Sequence, residues 1–504
     1  MIRRLCLALF VGAWTLCPAA LDAAPAATPA PAPAGSIAGD PIAHDPATLK
    51  LRIDEILAQK PLAGATIGVH AVDLATGEVL YSRNPDVPQN PASNIKLVTT
   101  AAALALLGPE HRYITRVYIA KKSLKGSTVE GDLYLRGGGD PALITADLYQ
   151  LASDLRALGI TRITGGLVLD TTLFDRDEFP PGFEQKEELV AYRSPGGALS
   201  VNFGTFVVMV RPGRTVGEAA LAAIDPPVPS LKLETTATTA AGARTKLSMG
   251  FDPPEKDSHA RTLRLSGAIG VDAEPAEYRY PVSHPAEYTG EVFKLVLSQR
   301  GIKFGKPTVK LAAVPDDVQR LAIVRSQPLS VLVRSVNKLS NNYMAEHILK
   351  TLDPATPQTY AGGLRRVHAW LAEQGVATAG FSMTNGSGLY DTNRITATQL
   401  TSLLVRVHRD FRIAGDFLAS LAIAGADGTM RSRLQDSPAQ RFVRAKTGTL
   451  DEVSALAGYA GALGKPPIVF AILVSGLDRW KAGSVKKAQN EIAELLAAAA
   501  AARP

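Results

Sequence analysis

The sequence predicts an α+β fold in which both ends of the chain contribute to one sheet. The elements that predict it are a helix over 49–57 and strands over 66–72 and 78–82 near the N-terminus, and strands over 442–446, 454–460 and 468–476 with a helix over 481–500 near the C-terminus. Between about 113 and 324 the pattern changes to short alternating stretches, which predicts a large, mostly β insertion. The length of 504 residues is enough for several hydrophobic cores.

The N-terminal residues predict export. Arg3 and Arg4 precede an apolar stretch over 5–16, which is too short to span a bilayer as a stable helix and is typical of a signal peptide. We assign 1–24 to a cleaved signal peptide and 25–44, rich in Ala and Pro, to a linker; a retained N-terminal anchor is the alternative. Because no later apolar run reaches the length of a membrane span, we predict a periplasmic protein with at most peripheral membrane association.

The composition argues against several classes of function. Both cysteines, Cys6 and Cys17, lie in the predicted signal peptide, so the mature chain would have no thiol nucleophile, disulfide or cysteine metal site. The net charge of +7 is modest and is not clustered into a stripe, and no zinc-ligand spacing or nucleic-acid module is found. Gly137-Gly138-Gly139 lacks the Lys and Ser/Thr of a phosphate loop and predicts a tight turn. We therefore predict no nucleic-acid partner.

The remaining elements follow in chain order. A loop over 84–91, rich in Pro and Asn, leads to an apolar run over 97–107, which predicts a buried helix ending at Gly108-Pro109. In the insertion we predict strands over 115–120, 131–135 and 166–169 and a helix over 146–158. The segment 225–257, rich in Pro, Thr and Ala, is predicted to be a small β-rich lobe or an irregular insertion. After the insertion we predict helices over 329–339, 343–352, 359–374 and 398–407.

Ser93-Asn94-Ile95-Lys96, at the start of the first buried helix, is the first motif that carries chemistry. A serine and a lysine three residues apart share one helix face, so the amine can take the hydroxyl proton. The positive end of the helix dipole favours an alkoxide and lowers the pKa of the amine, and a buried neutral lysine can act as a base. We predict that Ser93 is a nucleophile and Lys96 its base; the alternative is an ordinary helix-capping serine.

The same spacing occurs twice more, in Ser335-x-x-Lys338 and Ser484-x-x-Lys487. A chance match of this kind is expected about once or twice in a chain of this length. Both lie in helices with polar faces, so we interpret them as solvated residues. The position of Ser93 before an apolar helix distinguishes it from these two.

Ser340-Asn341-Asn342 lies at the junction of two predicted helices. A short loop at such a junction can project a hydroxyl and an amide into a cleft. We predict that Ser340 relays a proton to a leaving amine and that Asn342 holds the substrate backbone.

Lys446-Thr447-Gly448 occurs once in the chain, on a predicted strand, and Thr449 follows it. Lys446 and Thr447 can bind a terminal carboxylate, and the missing side chain of Gly448 lets a substrate lie against the strand edge. The backbone N–H groups of Ser93 and Thr449 would form an oxyanion hole. The alternative is an exposed basic strand.

The order of these three motifs, with a long insertion after the first, resembles the class C low-molecular-mass penicillin-binding proteins, the D-alanyl-D-alanine carboxypeptidase/endopeptidase family. Further stretches that carry the resemblance are Gly131-Asp132-Leu133 with Gly139-Asp140-Pro141, Ala198-Leu199-Ser200-Val201-Asn202, Asn385-Gly386-Ser387-Gly388-Leu389 and Asp427-Gly428-Thr429. The resemblance implies a penicillin-recognising, β-lactamase-like domain, with an antiparallel sheet flanked by helices and a helical subdomain. It also implies that no cofactor is used.

The resemblance implies a division of the chain. The catalytic domain would be 45–110 with 325–504, inserted domain II would be 111–215 with 266–324, and the nested domain III would be 216–265. The implied substrates are peptidoglycan peptides, and β-lactams are implied as covalent inhibitors.

Two positions depart from the family's pattern. Asn385 stands where the family has an aspartate, which removes a charge near the site. Some members bind the free D-centre of diaminopimelate with an aspartate after a Pro-Gly-Trp-like stretch, and Glu187 is the best positional match here, beside Lys186. We predict a substrate contact for Glu187; an ordinary charged loop is the alternative.

The predicted function is a serine acyl-enzyme peptidase, a D-Ala-D-Ala carboxypeptidase or DD-endopeptidase. Two alternatives stay open. One is a β-lactamase or esterase on the same scaffold, and the other is a non-catalytic protein that binds β-lactams or the cell wall.

Overall fold

The computed structural model describes residues 45–252, 260–477 and 482–503. The predicted signal peptide and linker lie outside the described residues. Among the residues that are described, no helix is both long and apolar enough to cross a membrane.

The segment before the insertion forms two helices and two strands: α1 (Pro46–Leu57), β1 (Thr66–Asp73), β2 (Val79–Arg83) and α2 (Ile95–Leu107). Asp45 caps α1, because its side chain accepts a hydrogen bond from the Thr48 N–H at 3.0 Å. α2 is buried over most of its length and ends at Gly108, whose φ of 85° stops the helix. The predicted bounds of these elements agree with the structure to within three residues, the largest difference being the start of α1.

The insertion contains two helices and sixteen described strands. In chain order they are β3 (Ile114–Ala120), β4 (Leu124–Lys125), β5 (Thr128–Val129), β6 (Leu133–Arg136), α3 (Thr145–Ala157), β7 (Arg162–Ile163), β8 (Leu167–Asp170), β9 (Thr205–Arg211), β10 (Leu221–Asp225), β11 (Leu231–Thr235), β12 (Thr238–Ala240), β13 (Lys246–Phe251), β14 (Arg261–Gly270), β15 (Ala276–Pro281), α4 (Pro285–Gln299), β16 (Lys303–Phe304), β17 (Val309–Leu311) and β18 (Val318–Arg325). Helix α4 was not predicted.

The insertion has its own hydrophobic core. One cluster of buried side chains is drawn from residues between Val117 and Ala322. β11, β12 and β13 all pair with β14, which runs across the predicted boundary at 265/266. We propose that the insertion is a separate domain and that its nested unit ends after Gly270, because a boundary at 265/266 would cut a strand.

The segment after the insertion contains α5 (Leu329–Lys338), α6 (Asn342–Thr351), α7 (Tyr360–Glu373), α8 (Ala397–Arg409), α9 (Ala414–Ser420), β19 (Ala422–Ile423), β20 (Val443–Leu450), β21 (Val453–Ala462), β22 (Lys465–Ser475) and α10 (Ala482–Ala501). Helix α9 and strand β19 are short elements that were not predicted.

Both ends of the chain share one antiparallel sheet, in the order β19-β20-β21-β22-β1-β2. β1 pairs with β22 over its full length, from Thr66 opposite Ser475 to Asp73 opposite Ile468. Alternate residues of β21 face two cores: Ala455 and Ala457 pack against α2 and α5–α8, and Leu456 packs in the core that contains α1 and α10. The predicted α+β fold, with a sheet between helices, is confirmed.

Candidate active site

Ser93 lies in the turn 92–94 that leads directly into α2. The turn is unusual because Ala92, without being glycine, has a φ of 45°, and Asn90 stabilises it by accepting a hydrogen bond from the Ala92 N–H at 2.8 Å. Ser93 is half-buried, whereas Lys96 on the first turn of α2 is completely buried. The arrangement leaves the hydroxyl accessible and excludes water from the amine.

Lys96 Nζ lies within hydrogen-bonding distance of three oxygens: Ser93 Oγ at 2.9 Å, Asn342 Oδ1 at 2.7 Å and the Ser387 carbonyl at 2.5 Å. The Asn342 amide orientation is fixed, because its Nδ2 donates to the Tyr192 carbonyl at 3.0 Å. Burial lowers the pKa of Lys96 to about 7, and the negative charge of Glu346 opposes that shift.

These contacts orient the neutral amine. Asn342 Oδ1 and the Ser387 carbonyl can only accept, so they take the two protons of a neutral amine. The remaining lone pair of Lys96 then points to the Ser93 hydroxyl. The geometry is that of a base aimed at one proton.

Ser340 and Lys446 form a second pair. Ser340 lies in the loop between α5 and α6, with a φ of 58°, and Lys446 Nζ is 2.9 Å from its hydroxyl. Lys446 is completely buried and also donates to the Thr447 carbonyl at 2.7 Å. Burial holds the pKa of Lys446 well below its ordinary value, and the positive charge of Lys96 lowers it further. The two buried amines are therefore electrostatically coupled.

The outer edge of β20 is open beyond Ala445 in the described residues, because β19 pairs only with Ala445 and Arg444. Gly448 lies on this part of the strand. A Cβ there would be 2.7 Å from the Pro91 carbonyl and 3.1 Å from the Ala92 Cβ. The turn that holds Ser93 therefore leaves no room for a side chain at this position. This is a reason for glycine in addition to the predicted approach of a substrate.

Asn94 joins the first motif to the third. Its side chain is completely buried. One orientation of the Asn94 amide gives hydrogen bonds to both its nitrogen and its oxygen. In it, Nδ2 donates to the Lys446 carbonyl at 2.9 Å and Oδ1 accepts from the Ala457 N–H at 3.3 Å. Sequence reasoning treated Asn94 only as a spacer; the available signal was a polar residue inside an apolar stretch.

Glu346 is the other residue that sequence reasoning missed. It is buried one helical turn beyond Asn342 on α6, and its oxygens accept from the Gly386 N–H at 2.9 Å and the Ser387 N–H at 2.7 Å. Burial raises the pKa of Glu346, and these hydrogen bonds oppose that shift. The spacing of four residues from Asn342 was the signal that placed it on the same helix face.

The loop with Asn385 packs beneath the nucleophile turn. The buried Asn385 amide donates to the Leu389 carbonyl at 3.2 Å and accepts from the Gly388 N–H at 2.8 Å. Gly388 has a φ of 78°, and a Cβ there would lie 1.9 Å from the Ala92 carbonyl. An aspartate has no donor for the Leu389 carbonyl, so Asn385 satisfies this loop without a buried charge.

A cleft of about 1050 Å³ runs past Ser93, Asn342 and Thr449, and the insertion's 185–192 segment forms part of its wall. Lys186 and Glu188 line the cleft, but Glu187 is exposed and is not among its lining residues. The backbone of Lys186 is extended, and side chains of an extended chain alternate in direction. The substrate contact of Glu187 therefore stays a prediction; the acidic residues that line the cleft are Glu188, Asp391, Asp451 and Glu452.

The two motifs with the same Ser-x-x-Lys spacing differ from each other. Lys487 is 77% exposed, as predicted. Lys338 is only 18% exposed and forms an ion pair with Asp427 at 2.6 Å, so its interpretation as a solvated residue was wrong. An amphipathic pattern shows which face of a helix is polar, but not that a later loop covers that face.

The sequence of this chain matches the model of the D-Ala-D-Ala carboxypeptidase 3 (S13) family over residues 49–499. It is 35% identical over 447 residues to the D-alanyl-D-alanine carboxypeptidase of Actinomadura sp. (strain R39), an alignment that covers 85% of this chain and 81% of that protein. The predicted family and the predicted class of enzyme, a serine-type D-Ala-D-Ala carboxypeptidase, are confirmed.

The fold is similar to that of penicillin binding protein 4 (dacB) from Haemophilus influenzae, with a TM-score of 0.74 and 23% identity, covering 88% of this chain and 99% of the other. A second structure of the Haemophilus protein, complexed with a novel β-lactam, aligns with a TM-score of 0.69 and 22% identity over 88% of this chain and 98% of that one. These similarities confirm the penicillin-recognising fold. With a family model that matches nearly all of its described length, the chain belongs to the D-Ala-D-Ala carboxypeptidase 3 (S13) family.

Proposed function

We propose that this chain hydrolyses the D-Ala-D-Ala ends of peptidoglycan stem peptides through an acyl-enzyme on Ser93. The observation that carries the proposal is the environment of Lys96. Its amine is buried, has a pKa of about 7, and has two of its hydrogen-bonding directions occupied by acceptors, which leaves the third for Ser93 Oγ. Such a base is neutral for a large part of the time at neutral pH.

In the acylation step, Lys96 takes the Ser93 hydroxyl proton as Oγ attacks the carbonyl of the penultimate D-Ala. The new C–O bond produces an oxyanion, which the N–H groups of Ser93 and Thr449 stabilise. The C–N bond to the terminal D-Ala then breaks. The departing amine receives the Ser340 hydroxyl proton, and Lys446, 2.9 Å away, returns a proton to Ser340.

The electrostatic coupling between the two amines favours this order of proton transfers. When Lys96 becomes charged, its charge lowers the pKa of Lys446, which makes Lys446 a better acid at the moment the leaving amine needs a proton. In deacylation, water attacks the acyl carbon and gives its proton to Lys446 through Ser340. The C–Oγ bond breaks, Lys96 returns its proton to Ser93, and both amines regain their starting states.

The proposed substrates are stem peptides and D-Ala–diaminopimelate cross-links, whose leaving groups carry a carboxylate beside the departing amine. β-Lactams are proposed as covalent inhibitors, a view supported by the β-lactam complex of the Haemophilus protein. The sequence pattern of 1–24 supports a periplasmic location.

Digestion of purified muropeptides tests this function. Monomers ending in D-Ala-D-Ala and cross-linked dimers are incubated separately with the enzyme, and the products are identified by mass spectrometry. We expect loss of one alanine from monomers, and conversion of dimers to monomers if cross-links are also substrates. Intact monomers and dimers, with rapid turnover of penicillin, would instead indicate a β-lactamase.

A further inference from the structure

We propose that one side of a sheet in the insertion binds the peptidoglycan polymer, at a place separate from the active site. The sheet is β17-β8-β6-β3-β18, and we call its open side the tyrosine–arginine face. Its main residues, none of which lines the cleft past Ser93, are Tyr118, Tyr134, Arg116, Arg136, Lys310 and Arg320. The inference goes beyond the proposed function and takes from it only the identity of the polymer.

The two sides of this sheet differ in their environment. On β3 and β6, every second side chain is buried in the hydrophobic core of the insertion; these are Val117, Ile119, Leu133 and Leu135. The side chains between them point the other way, because successive residues of a strand alternate in direction. On that side the side chain of Arg136 is 42% exposed and that of Lys310 60%, so it is open to solvent.

The strand register places two tyrosines between two cations in one row across the sheet. Arg320 of β18 lies opposite Tyr118 of β3, and Tyr118 lies opposite Tyr134 of β6. Tyr134 lies opposite Val168 of β8, which lies opposite Lys310 of β17. Because neighbouring strands are about 4.8 Å apart, this row of five positions is roughly 19 Å long.

Arg116 and Arg136 lie opposite each other in the next row. Like charges directly opposite are destabilising unless they are compensated. Arg136 is compensated by the buried Asp170, with Nε 3.5 Å from Oδ2. Within the described residues, no carboxylate lies within ion-pair distance of Arg116, which donates to the Ile114 carbonyl of its own strand at 3.2 Å. The charge of Arg116 is therefore left for a ligand.

The tyrosine–arginine face has a net positive charge. Lys310 is paired with Asp132 at 3.0 Å, but Arg320 has no carboxylate partner in the described part of the chain. The same holds for Arg325, which is exposed and lies opposite Ile114 on this side of the sheet. The cations come from strands that are far apart in the sequence, so the sequence showed no charged stripe.

This chemistry suits a glycan that carries carboxylates. A tyrosine ring offers an apolar surface to the C–H side of a sugar ring and a hydroxyl to its rim. Arginine binds carboxylates through two parallel hydrogen bonds, and the stem peptides of peptidoglycan carry carboxylates at repeated intervals. A second copy of this chain fits less well, since a twofold contact would place the unpaired arginines against each other. Binding here keeps the active site close to successive stem peptides.

Co-sedimentation with purified peptidoglycan sacculi tests the inference. All proteins carry Ser93→Ala, so that the polymer is not cut. Adding Arg116→Glu and Arg320→Glu should weaken binding roughly tenfold or more, and binding of the parent should weaken with added salt. The matched control adds Arg211→Glu and Arg279→Glu, the same charge change at exposed strand positions of the sheet β10-β9-β15, and should bind like the parent.

A second pair of variants tests the aromatic part of the face. Tyr118→Thr removes the ring but keeps a residue that favours strands, and should weaken binding severalfold, whereas Tyr118→Phe should retain most of it. With Ser93 intact, each of these variants should be acylated by benzylpenicillin at the wild-type rate. That readout shows that the fold is kept and separates this inference from the proposed function.

Unchanged binding in the arginine and Tyr118→Thr variants, or an equal loss in the control, would overturn the inference and leave the proposed function standing. Vesicles of phosphatidylglycerol are the alternative anionic partner. Binding to these vesicles, with none to sacculi, would assign the face to a membrane and also overturn the inference.

Discussion

Glu346 and Lys96, both buried, are connected through the backbone of one residue, Ser387. Its N–H donates to Glu346 Oε1 at 2.7 Å, and its carbonyl accepts from Lys96 Nζ at 2.5 Å. Consecutive N–H groups that converge on a carboxylate form an anion-binding concavity. Glu346 therefore acts on Lys96 in two ways: it holds the carbonyl that orients the amine, and its charge raises the pKa of the amine.

Replacement of Glu346 by glutamine tests this connection. The amide oxygen can accept from one of the two N–H groups, but the amide nitrogen cannot accept from the other. We expect the acylation rate to fall roughly tenfold or more. Because the negative charge is also lost, the acidic limb of the pH profile should move to lower pH. The test measures the rate of acylation by a chromogenic cephalosporin at a series of pH values between 5 and 9.

Glu178→Gln is the matched control for that change. Glu178 lines the same internal cavity as Glu346, and burial raises its pKa to about 7, but its charged neighbours are Glu287 and Lys350. We expect little change in the midpoint of the pH profile. A profile of Glu346→Gln that coincides with those of Glu178→Gln and the wild type would refute the connection to Lys96.

The wild-type enzyme should itself show a pH-dependent acylation rate. Only the neutral amine of Lys96 can take the Ser93 proton, and its pKa of about 7 places the midpoint near neutrality. The rate is expected to rise with pH through this midpoint and then level off. Stopped-flow acylation at constant ionic strength measures it, and a rate that is flat from pH 6 to pH 8 would contradict a titrating Lys96.

The buried amine also affects stability. The pKa of Lys96 is 10.5 in the unfolded chain and about 7 in the fold, so between these values the unfolded state binds more protons and stability rises with pH. The free energy of unfolding of the wild type, relative to that of Lys96→Met, should therefore rise by about 2 kcal/mol between pH 7 and pH 9. The slope is ~1.4 kcal/mol per pH unit once the folded-state amine is neutral. Denaturant unfolding of both proteins measures the difference, and parallel pH curves would argue against it.

The close contact between Gly388 and the turn that holds Ser93 predicts that a methyl group added at Gly388 lowers the free energy of unfolding. Gly388→Ala must accommodate both a positive φ and a Cβ 1.9 Å from the Ala92 carbonyl. Gly64→Ala is a matched control, since Gly64 has a φ of 84° and no atom within 4 Å of the position that a Cβ would take. We expect Gly64→Ala to lower the free energy of unfolding by about 1 kcal/mol and Gly388→Ala to lower it several times more. Acylation should be slower in Gly388→Ala. Similar losses in the free energy of unfolding would show that the loop moves aside.

The sequence allowed a correct prediction of the sheet and of the motif order, because both depend on local patterns. Apolar runs defined β21, β22 and α2. The Ser93 and Lys96 pair lies in the turn 92–94 and the first turn of α2 that follows it. Short elements such as β19, with two residues, have too little periodicity to be recognised. Helix α4 was not predicted, because the short alternating stretches around it indicated a mostly β insertion.

The missing parts of the site depend on long-range contacts. Glu346 contacts a loop some forty residues away in the chain, and Asn94 contacts strands that follow it by hundreds. Glu187 was chosen by its position in a motif, and its substrate contact stays a prediction, because the direction of a side chain on an extended segment changes with every residue. Lys338 was misjudged because the loop that covers it follows nearly ninety residues later.

The central claim is that Ser93 forms the acyl bond. The most direct test is intact-protein mass spectrometry after incubation with benzylpenicillin, followed by peptide mapping, on the wild type and on Ser93→Ala with its fold checked by circular dichroism. Ring opening has no leaving group, so we predict that the wild type gains the mass of one whole inhibitor on the peptide with Ser93 and that Ser93→Ala gains none. An adduct on folded Ser93→Ala, or one that maps to another residue of the wild type, would contradict the account.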